Sequence, residues 1–165
     1  MAKMQKIVSN LWFDTQAEEA AKYYTSIFKN SKIRRITYYG KEGFEIHNKP
    51  EGSVLTVEFE IEDQIFTALN GSPAFKFNEA ISFIVNCENQ KEIDYYWDRL
   101  AAEGDPAAQQ CGWLKDKYGL SWQVVPTELD EMLEGPPTER SERVMKALLQ
   151  MQKIDLEKLK QAHSS

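Results

Sequence analysis

Along the first half of the chain the spacing of apolar residues switches between two periods. Residues 5–13 alternate in their second half, through Asn10, Leu11, Trp12 and Phe13, and predict a strand. Asp14 and Thr15 offer oxygens to start a helix. Residues 16–28 then carry Ala17, Ala20, Ala21, Tyr24, Ile27 and Phe28 at helical spacing, with Glu18 and Glu19 in the first turn and Lys29 near the end. Asn30-Ser31 ends that helix. Strands are predicted over Ile33–Tyr39, Val54–Glu62 and Ile65–Leu69, with a polar, glycine-containing stretch from Gly40 to Gly52 after the first. The second is the clearest, placing Leu55, Val57, Phe59 and Ile61 on one face and Thr56, Glu58, Glu60 and Glu62 on the other. Asp63-Gln64 turns the chain and Asn70-Gly71 ends the run. The order is strand, helix, three strands.

The second half opens in the same way. Ala80–Val85 predicts a strand, 86–89 a capping segment and Gln90–Ala102 a helix. Shifting the first half by 72 positions places Phe13-Asp14 on Val85-Asn86 and Tyr23-Tyr24 on Tyr95-Tyr96. This match reads as an internal repeat; two unrelated amphipathic helices are the alternative. The tyrosine pairs are expected to pack each helix onto its sheet. Gln109–Leu114 and Leu120–Val125 predict further strands, with a short third around Ala107, and Lys115, Asp116 and Lys117 read as a solvated turn. Beyond Thr127 come a short helix over Glu128–Leu133, a break at Gly135-Pro136-Pro137 and a helix opened by Thr138 with the stripe Val144, Ala147, Leu148 and Met151. A last turn over Leu156–Leu159 leads into a frayed tail. The expectation is one α+β domain over 1–165, with module one at 5–72, module two at 78–126 and a helical extension at 127–162.

Composition narrows the function classes. Twenty Lys and Arg against 26 Asp and Glu give a net charge of −6, which argues against a nucleic-acid partner, since such affinity rests on neutralising phosphates. Lys32, Arg34 and Arg35 are the one tight basic group and read as a solvated strand end. No apolar run reaches the ~20 residues of a membrane span, and no membrane partner is expected. The segment from Met1 to Ser9 lacks the apolar stretch of an export signal. With two cysteines, Cys87 and Cys111, the chain has no disulfide framework. A cytoplasmic protein with reduced thiols is expected.

Asn10-Leu-Trp-Phe-Asp, Glu18-Glu19-Ala20, Tyr23-Tyr24, Ala68-Leu-Asn-Gly, Phe75 to Phe83, Cys111 to Gly119 and Ser121 to Pro126 together resemble the PhnB-like family. This branch of the vicinal oxygen chelate superfamily (glyoxalase I, bleomycin-resistance proteins, extradiol dioxygenases) often carries the label 3-demethylubiquinone-9 3-methyltransferase. The resemblance spans residues 5–155. It implies two paired βαβββ modules forming a cupped mixed sheet, a small-molecule ligand and a homodimer, for which Val144, Leu148 and Met151 offer an apolar face. It also implies four inward positions that hold a divalent ion in metal-using members. Mapped by strand position, these fall near Val8, Ala80, Thr67 and Gln123, which are poor ligands. The only histidines, His47 and His163, fall in a loop and the tail. No metal and no cofactor are therefore expected. The glycine-rich strand-to-helix turn usual for S-adenosylmethionine is absent as well.

The same mapping turns Asn10, Trp12, Thr67, Leu69, Ser82, Gln123 and Val125 inward. Neutral donors and acceptors in an apolar, aromatic wall suit a ligand pocket; a closed core of mutually bonded groups is the alternative. Candidate proton handlers are Glu58, Glu79 and Cys111. Glutamates facing solvent and an inert thiol are the competing readings, because no histidine adjoins Cys111 in sequence. Three functions follow: a non-metal binder of a small organic molecule, an enzyme acting on an aromatic or quinone-like substrate, or a structural protein with a filled cup.

Overall fold

The computed structural model describes residues 4–165; Met1 to Lys3, the start of the segment inspected for an export signal, lie outside it. The chain divides into two compact units, one ending at Lys76 and the other beginning at Phe77.

In the first unit, β1 (Ser9–Phe13), β2 (Ser31–Tyr38), β3 (Val54–Ile61) and β4 (Gln64–Asn70) form a sheet of order β1-β4-β3-β2. β1 runs parallel to β4, and the other pairs are antiparallel. Helix α1 (Ala17–Ile27) covers one face, burying Ala17, Ala20, Ala21, Tyr24 and Ile27 against Leu11, Phe13, Val57, Phe59 and Ala68. Tyr24 stacks on Phe59, with ring centroids 6.1 Å apart. Glu62 and Asp63, with φ of 46° and 63°, make the two-residue hairpin between β3 and β4, the backbone hand that matches strand twist. The stretch 40–52 contains one helical turn, α2 (Phe44–His47).

Asp14 and Thr15 do not cap α1. The helix starts after Gln16 with no side-chain cap of its own, and the Ala17 N–H donates to Asn70 Oδ1 at 2.8 Å. Asp14 faces Lys49, whose ammonium lies 3.2 Å from its Oδ1. A buried helix start needs an acceptor for its unpaired N–H groups, and the end of β4 supplies it. Asn70 Nδ2 also donates to the Val54 carbonyl, at 3.1 Å, so one amide ties the helix start to two strands.

In the second unit, β5 (Ser82–Cys87), β6 (Trp113–Lys115) and β7 (Ser121–Pro126) form a sheet of order β5-β7-β6, with β5 parallel and β6 antiparallel to β7. Helix α3 (Gln90–Leu100) covers one face with Ile93, Trp97 and Leu100, against Val85, Cys87, Leu114, Trp122 and Val124. Asn89 caps it by accepting from the Glu92 N–H at 3.1 Å. The first strand thus starts two residues later than the alternation suggested. The helical repeat is also offset by one residue. Its buried positions align Ala20 with Ile93, Tyr24 with Trp97 and Ile27 with Leu100, so Tyr95 and Tyr96 are not the equivalents of Tyr23 and Tyr24. Tyr95 lies half-buried beneath the Arg99 guanidinium, 3.7 Å from its ring centre.

Two expectations fail between α3 and β7. The strand around Ala107 is a 3-10 turn, Pro106–Ala108, whose Asp105 carboxylate accepts from the Ala107 N–H at 2.9 Å; Pro106 has no N–H for a ladder. The strand expected from Gln109 shrinks to β6, because Cys111 and Gly112 take left-handed φ of 53° and 85°. Their N–H groups donate instead to the carbonyls of Met151 and Gln152, both at 2.8 Å. A Cβ on Gly112 would also lie 3.0 Å from the Val124 carbonyl oxygen, so glycine is required twice over. The turn read as solvated is built on a buried group. Asp116, 2 % exposed, accepts from the N–H groups of Tyr118 and Leu120 and from Trp122 Nε1 at 2.9, 3.1 and 2.9 Å.

The extension comprises α4 (Glu128–Leu133), α5 (Glu139–Leu148) and α6 (Leu156–Ser164). Thr138 and Ser141 form a capping box at the start of α5. Val144 and Leu148 are buried with Leu129, Ile154, Leu156 and Leu159 of the same unit, so most of the stripe offered for a dimer is covered within the chain. The tail is helical rather than frayed. Arg143 donates to the Ala162 carbonyl at 2.9 Å, satisfying an end group that would otherwise be unpaired.

Asp116→Ala strips three buried donors of their acceptor and should cost about 2–4 kcal/mol. A urea titration reads this as a lower midpoint at unchanged slope. Asp130→Ala, on the exposed side of α4, should stay within about 0.5 kcal/mol of the parent.

Candidate functional site

Side chains alternate across a strand, so residues of opposite parity to the helix-packed set emerge on the uncovered face of each sheet. In the first unit that face carries Asn10 and Trp12 of β1, Thr67 and Leu69 of β4 and Glu58 of β3. The register places Asn10 beside Thr67, Trp12 beside Leu69 and Glu58 across from Thr67. Trp12 is not free to receive a ligand with its whole ring. Its Nε1 donates to the Ser72 carbonyl at 2.8 Å, Phe75 meets it edge-on, and a Cβ on Gly71 would overlap the indole. Glu58 has Arg35 at 3.0 Å and Arg34 at 3.5 Å, and Glu60 has Arg34 at 3.2 Å. Lys32, Arg34 and Arg35 thus form a ladder of ion pairs with β3, and Lys32, near the start of β2, and Arg35 remain largely in solvent as the sequence suggested.

The uncovered face of the second sheet carries Ser82 and Ile84 of β5, Ser121, Gln123 and Val125 of β7, and Trp113 and Lys115 of β6. Gln123 Nε2 donates to Ser82 Oγ at 2.9 Å, so two expected ligand contacts satisfy each other in part. At the outer edge of this sheet, beside β6, lies a cavity of about 340 Å3 walled by Glu79, Ala108, Cys111, Trp113, Lys115 and Ser121. It gathers two of the three candidate proton handlers; Glu58 is in the other unit. Lys115 and Ser121 are directly opposed across the β6–β7 ladder. Glu79 makes an ion pair with Lys115, and that contact holds its carboxyl below the ordinary carboxylate range.

Ser121 is the unusual member. It is 1 % exposed and its Oγ has no hydrogen-bond partner among the described residues, whereas buried hydroxyls are nearly always bonded. Sequence reasoning missed Trp113, Lys115 and Ser121. Alternation through Trp113, Leu114 and Lys115 was the available signal, and it was cut short at Leu114. The cysteines differ sharply. Cys87 is fully buried, and desolvation, helped by the Glu92 charge, pushes its thiol up to about 12. Cys111 is half-buried on the cavity wall.

A larger groove of about 590 Å3 lies where Gln90, Asp94, Lys153 and Lys158 meet. Its charges are already matched, with Lys153 lying 2.9 Å from Asp94, and nothing in it compares with the unpaired Ser121 hydroxyl.

The residues do not fit the superfamily's divalent ion. Val8 and Ala80 precede their strands, and the residues opposite Thr67 and Gln123 are Asn10 and Ile84. The carboxylates on or beside the uncovered faces, Glu58, Glu60 and Glu79, each have a basic side chain at contact distance, which disfavours a second cation. Among the described residues, no group of three or more His, Cys, Asp or Glu side chains could hold a metal ion. Nor is any helix among them long and apolar enough to cross a membrane.

Residues 5–125 match the family described as 3-demethylubiquinone-9 3-methyltransferase. No curated protein matches the chain. Among solved structures, the PhnB protein of Bacillus cereus is 36% identical with a TM-score of 0.63, over 74% of this chain and 100% of its own. Protein PA1353 of Pseudomonas aeruginosa is 18% identical with a TM-score of 0.55, over 74% of this chain and 98% of its own. The fosfomycin resistance protein FosX of Listeria monocytogenes is 16% identical with a TM-score of 0.52, over 82% and 100%. At such identities the last two speak for the fold alone. With most of its length matched and a relative above 30% identity, the chain belongs to the 3-demethylubiquinone-9 3-methyltransferase family, with a PhnB protein among its solved relatives.

Proposed function

We propose that this chain binds a small organic molecule in the cavity beside β6, and does so without a divalent ion. The observation that carries the reading is the Ser121 hydroxyl, buried and unpartnered at the cavity wall. Burying a hydroxyl without a bond costs about 1–3 kcal/mol, a cost that a ligand atom accepting or donating there removes. The walls suit a small organic body. Trp113, Ala108 and Leu114 supply apolar groups to the lining, and about 340 Å3 lies in the lower range of small-molecule sites, roughly 300–1,000 Å3.

The family's name denotes methyl transfer, and the strand-to-helix junctions offer no support for S-adenosylmethionine. Residues 14–16 and 88–89 contain no glycine for close backbone approach, and Asn70 and Asn89 already accept from the first turns of α1 and α3. A second reading, an enzyme for an aromatic or quinone-like substrate, is favoured by Cys111 and Glu79 lining one cavity. The homodimer is kept in this proposal on a different surface from the α5 stripe. β5 is an edge strand, and beside it Ile81 and Ile84 are 70 % and 57 % exposed.

Ser121→Ala separates a binding role from a packing one. If the hydroxyl serves a ligand, the variant should keep or slightly raise the unliganded melting temperature while losing about five- to tenfold affinity for whichever compound of a metabolite panel stabilises the parent. No stabilising compound, or equal stabilisation of parent and variant, would sink the reading. Turnover of a stabilising compound that vanishes in Cys111→Ala would instead establish the enzyme. Separately, stoichiometric Ni2+, Zn2+ or Fe2+ should move the melting temperature by less than about 1 °C; a larger rise would restore the metal.

A further inference from the structure

We propose that the ligand of this cavity is a carboxylate with an aromatic or other apolar body, and that Glu79 is the built-in counter-ion which the ligand's carboxylate displaces from Lys115. The inference rests on the binding reading above and adds the chemical class. Its basis is the asymmetry of one ion pair. The Lys115 side chain is 24 % exposed and reaches the cavity from an edge strand, whereas Glu79 is 64 % exposed on the segment that precedes β5. An ammonium so far removed from water needs an anion. A glutamate mostly in solvent loses little when released, because water resolvates it.

Geometry supplies the second half of the argument. Lys115 and Ser121 are register partners on antiparallel strands, so their side chains leave the same face of the sheet about 5 Å apart at Cβ. From there the flexible lysine stem can bring its ammonium to one oxygen of a carboxylate whose other oxygen takes the Ser121 O–H, which has no partner among the described residues. The Glu79 side chain engages Lys115 and leaves the hydroxyl unused. A ligand acid that engages both makes one more charge-assisted hydrogen bond than the internal group does. Trp113 and Ala108 then face the body of the ligand, where an aromatic ring gains most from an aromatic neighbour.

Calorimetric titration of the full chain with 2-naphthoate and its neutral isostere 2-naphthamide tests this. The acid should bind at least about tenfold more tightly than the amide. Glu79→Gln should strengthen binding of the acid by roughly three- to tenfold and leave the amide within about twofold, since only the acid competes with the native carboxylate. Lys115→Met should bring the acid down to the level of the amide. Equal binding of acid and amide to the parent, or unchanged acid affinity in Glu79→Gln, would overturn the carboxylate inference while leaving the cavity reading intact. Binding of neither probe would also overturn it, and the compound panel with Ser121→Ala decides the cavity reading on its own. Glu79 lies outside every strand and helix, so its variant carries the test whatever Lys115→Met does to the edge strand.

Discussion

One helix packs on each sheet, and a helix can cover only one face. That constraint governs both units. It commits alternate residues of the strands other than β2 to burial, including Leu11, Phe13, Val57 and Phe59 in one unit and Val85, Leu114, Trp122 and Val124 in the other. Each of these side chains is worth roughly 1.5–3 kcal/mol when fully removed from water. The residues between them must then stand on a surface no helix covers. A one-residue slip would exchange the two sets, so the core fixes the chemistry of the uncovered face without any residue of that face having to stabilise it.

The two uncovered faces are used differently. On the uncovered face of the first unit Glu58 and Glu60 pair with Arg34, Arg35 and Lys32, and Trp12 is held down by Gly71, Ser72 and Phe75. Such pairs at the surface stabilise little, on the order of 0–1 kcal/mol each, but they give Glu58 and Glu60 each a cation. In the second unit the pairing is less complete. Ser82 and Gln123 satisfy each other, Lys115 has Glu79, and Ser121 has no partner. Buried polar groups are nearly always hydrogen-bonded, so the Ser121 hydroxyl sets the second unit apart from the first.

Parity was the legible part of the sequence. Asn10, Trp12, Thr67 and Leu69 could be assigned to one face, and Ser82, Gln123 and Val125 to another, because strand periodicity depends only on neighbours along the chain. The helices over Ala17–Ile27, Gln90–Leu100 and Glu128–Leu133 were legible for the same reason. What escaped depends on partners distant in sequence. Asn70 caps a helix 53 residues away. Cys111 and Gly112 leave the ladder because carbonyls at Met151 and Gln152 receive their N–H groups. Asp116 sits among charged and polar neighbours in sequence, yet it is buried because Trp122 brings an indole N–H to it. Charge-rich composition predicts exposure on average and fails where a buried carboxylate organises a turn.

The segment where the sequence reading failed most is also the one that shapes the cavity. Had Ala107 and its neighbours formed the expected fourth strand, β6 would have carried a full ladder on its outer side in place of the isolated Gln110–Trp113 bridge. Instead Pro106 denies the ladder a donor, the chain makes a 3-10 turn, and the left-handed pair at 111–112 carries the backbone away to meet the C-terminal extension. Ala108 and Cys111 line the cavity with Trp113 and Lys115, while the backbone of β6 is met on that side by the Gln110–Trp113 bridge and by Gly104, which backs onto the Lys115 carbonyl. A non-glycine residue at positive φ costs about 1–2 kcal/mol, and the hydrogen bond from the Cys111 N–H to Met151 offsets part of that. Departures from local rule are tolerated where surrounding structure over-determines them, and they concentrate at functional sites. The turn that replaces one strand of the second unit is therefore better understood as part of what shapes this cavity than as decay of the repeat.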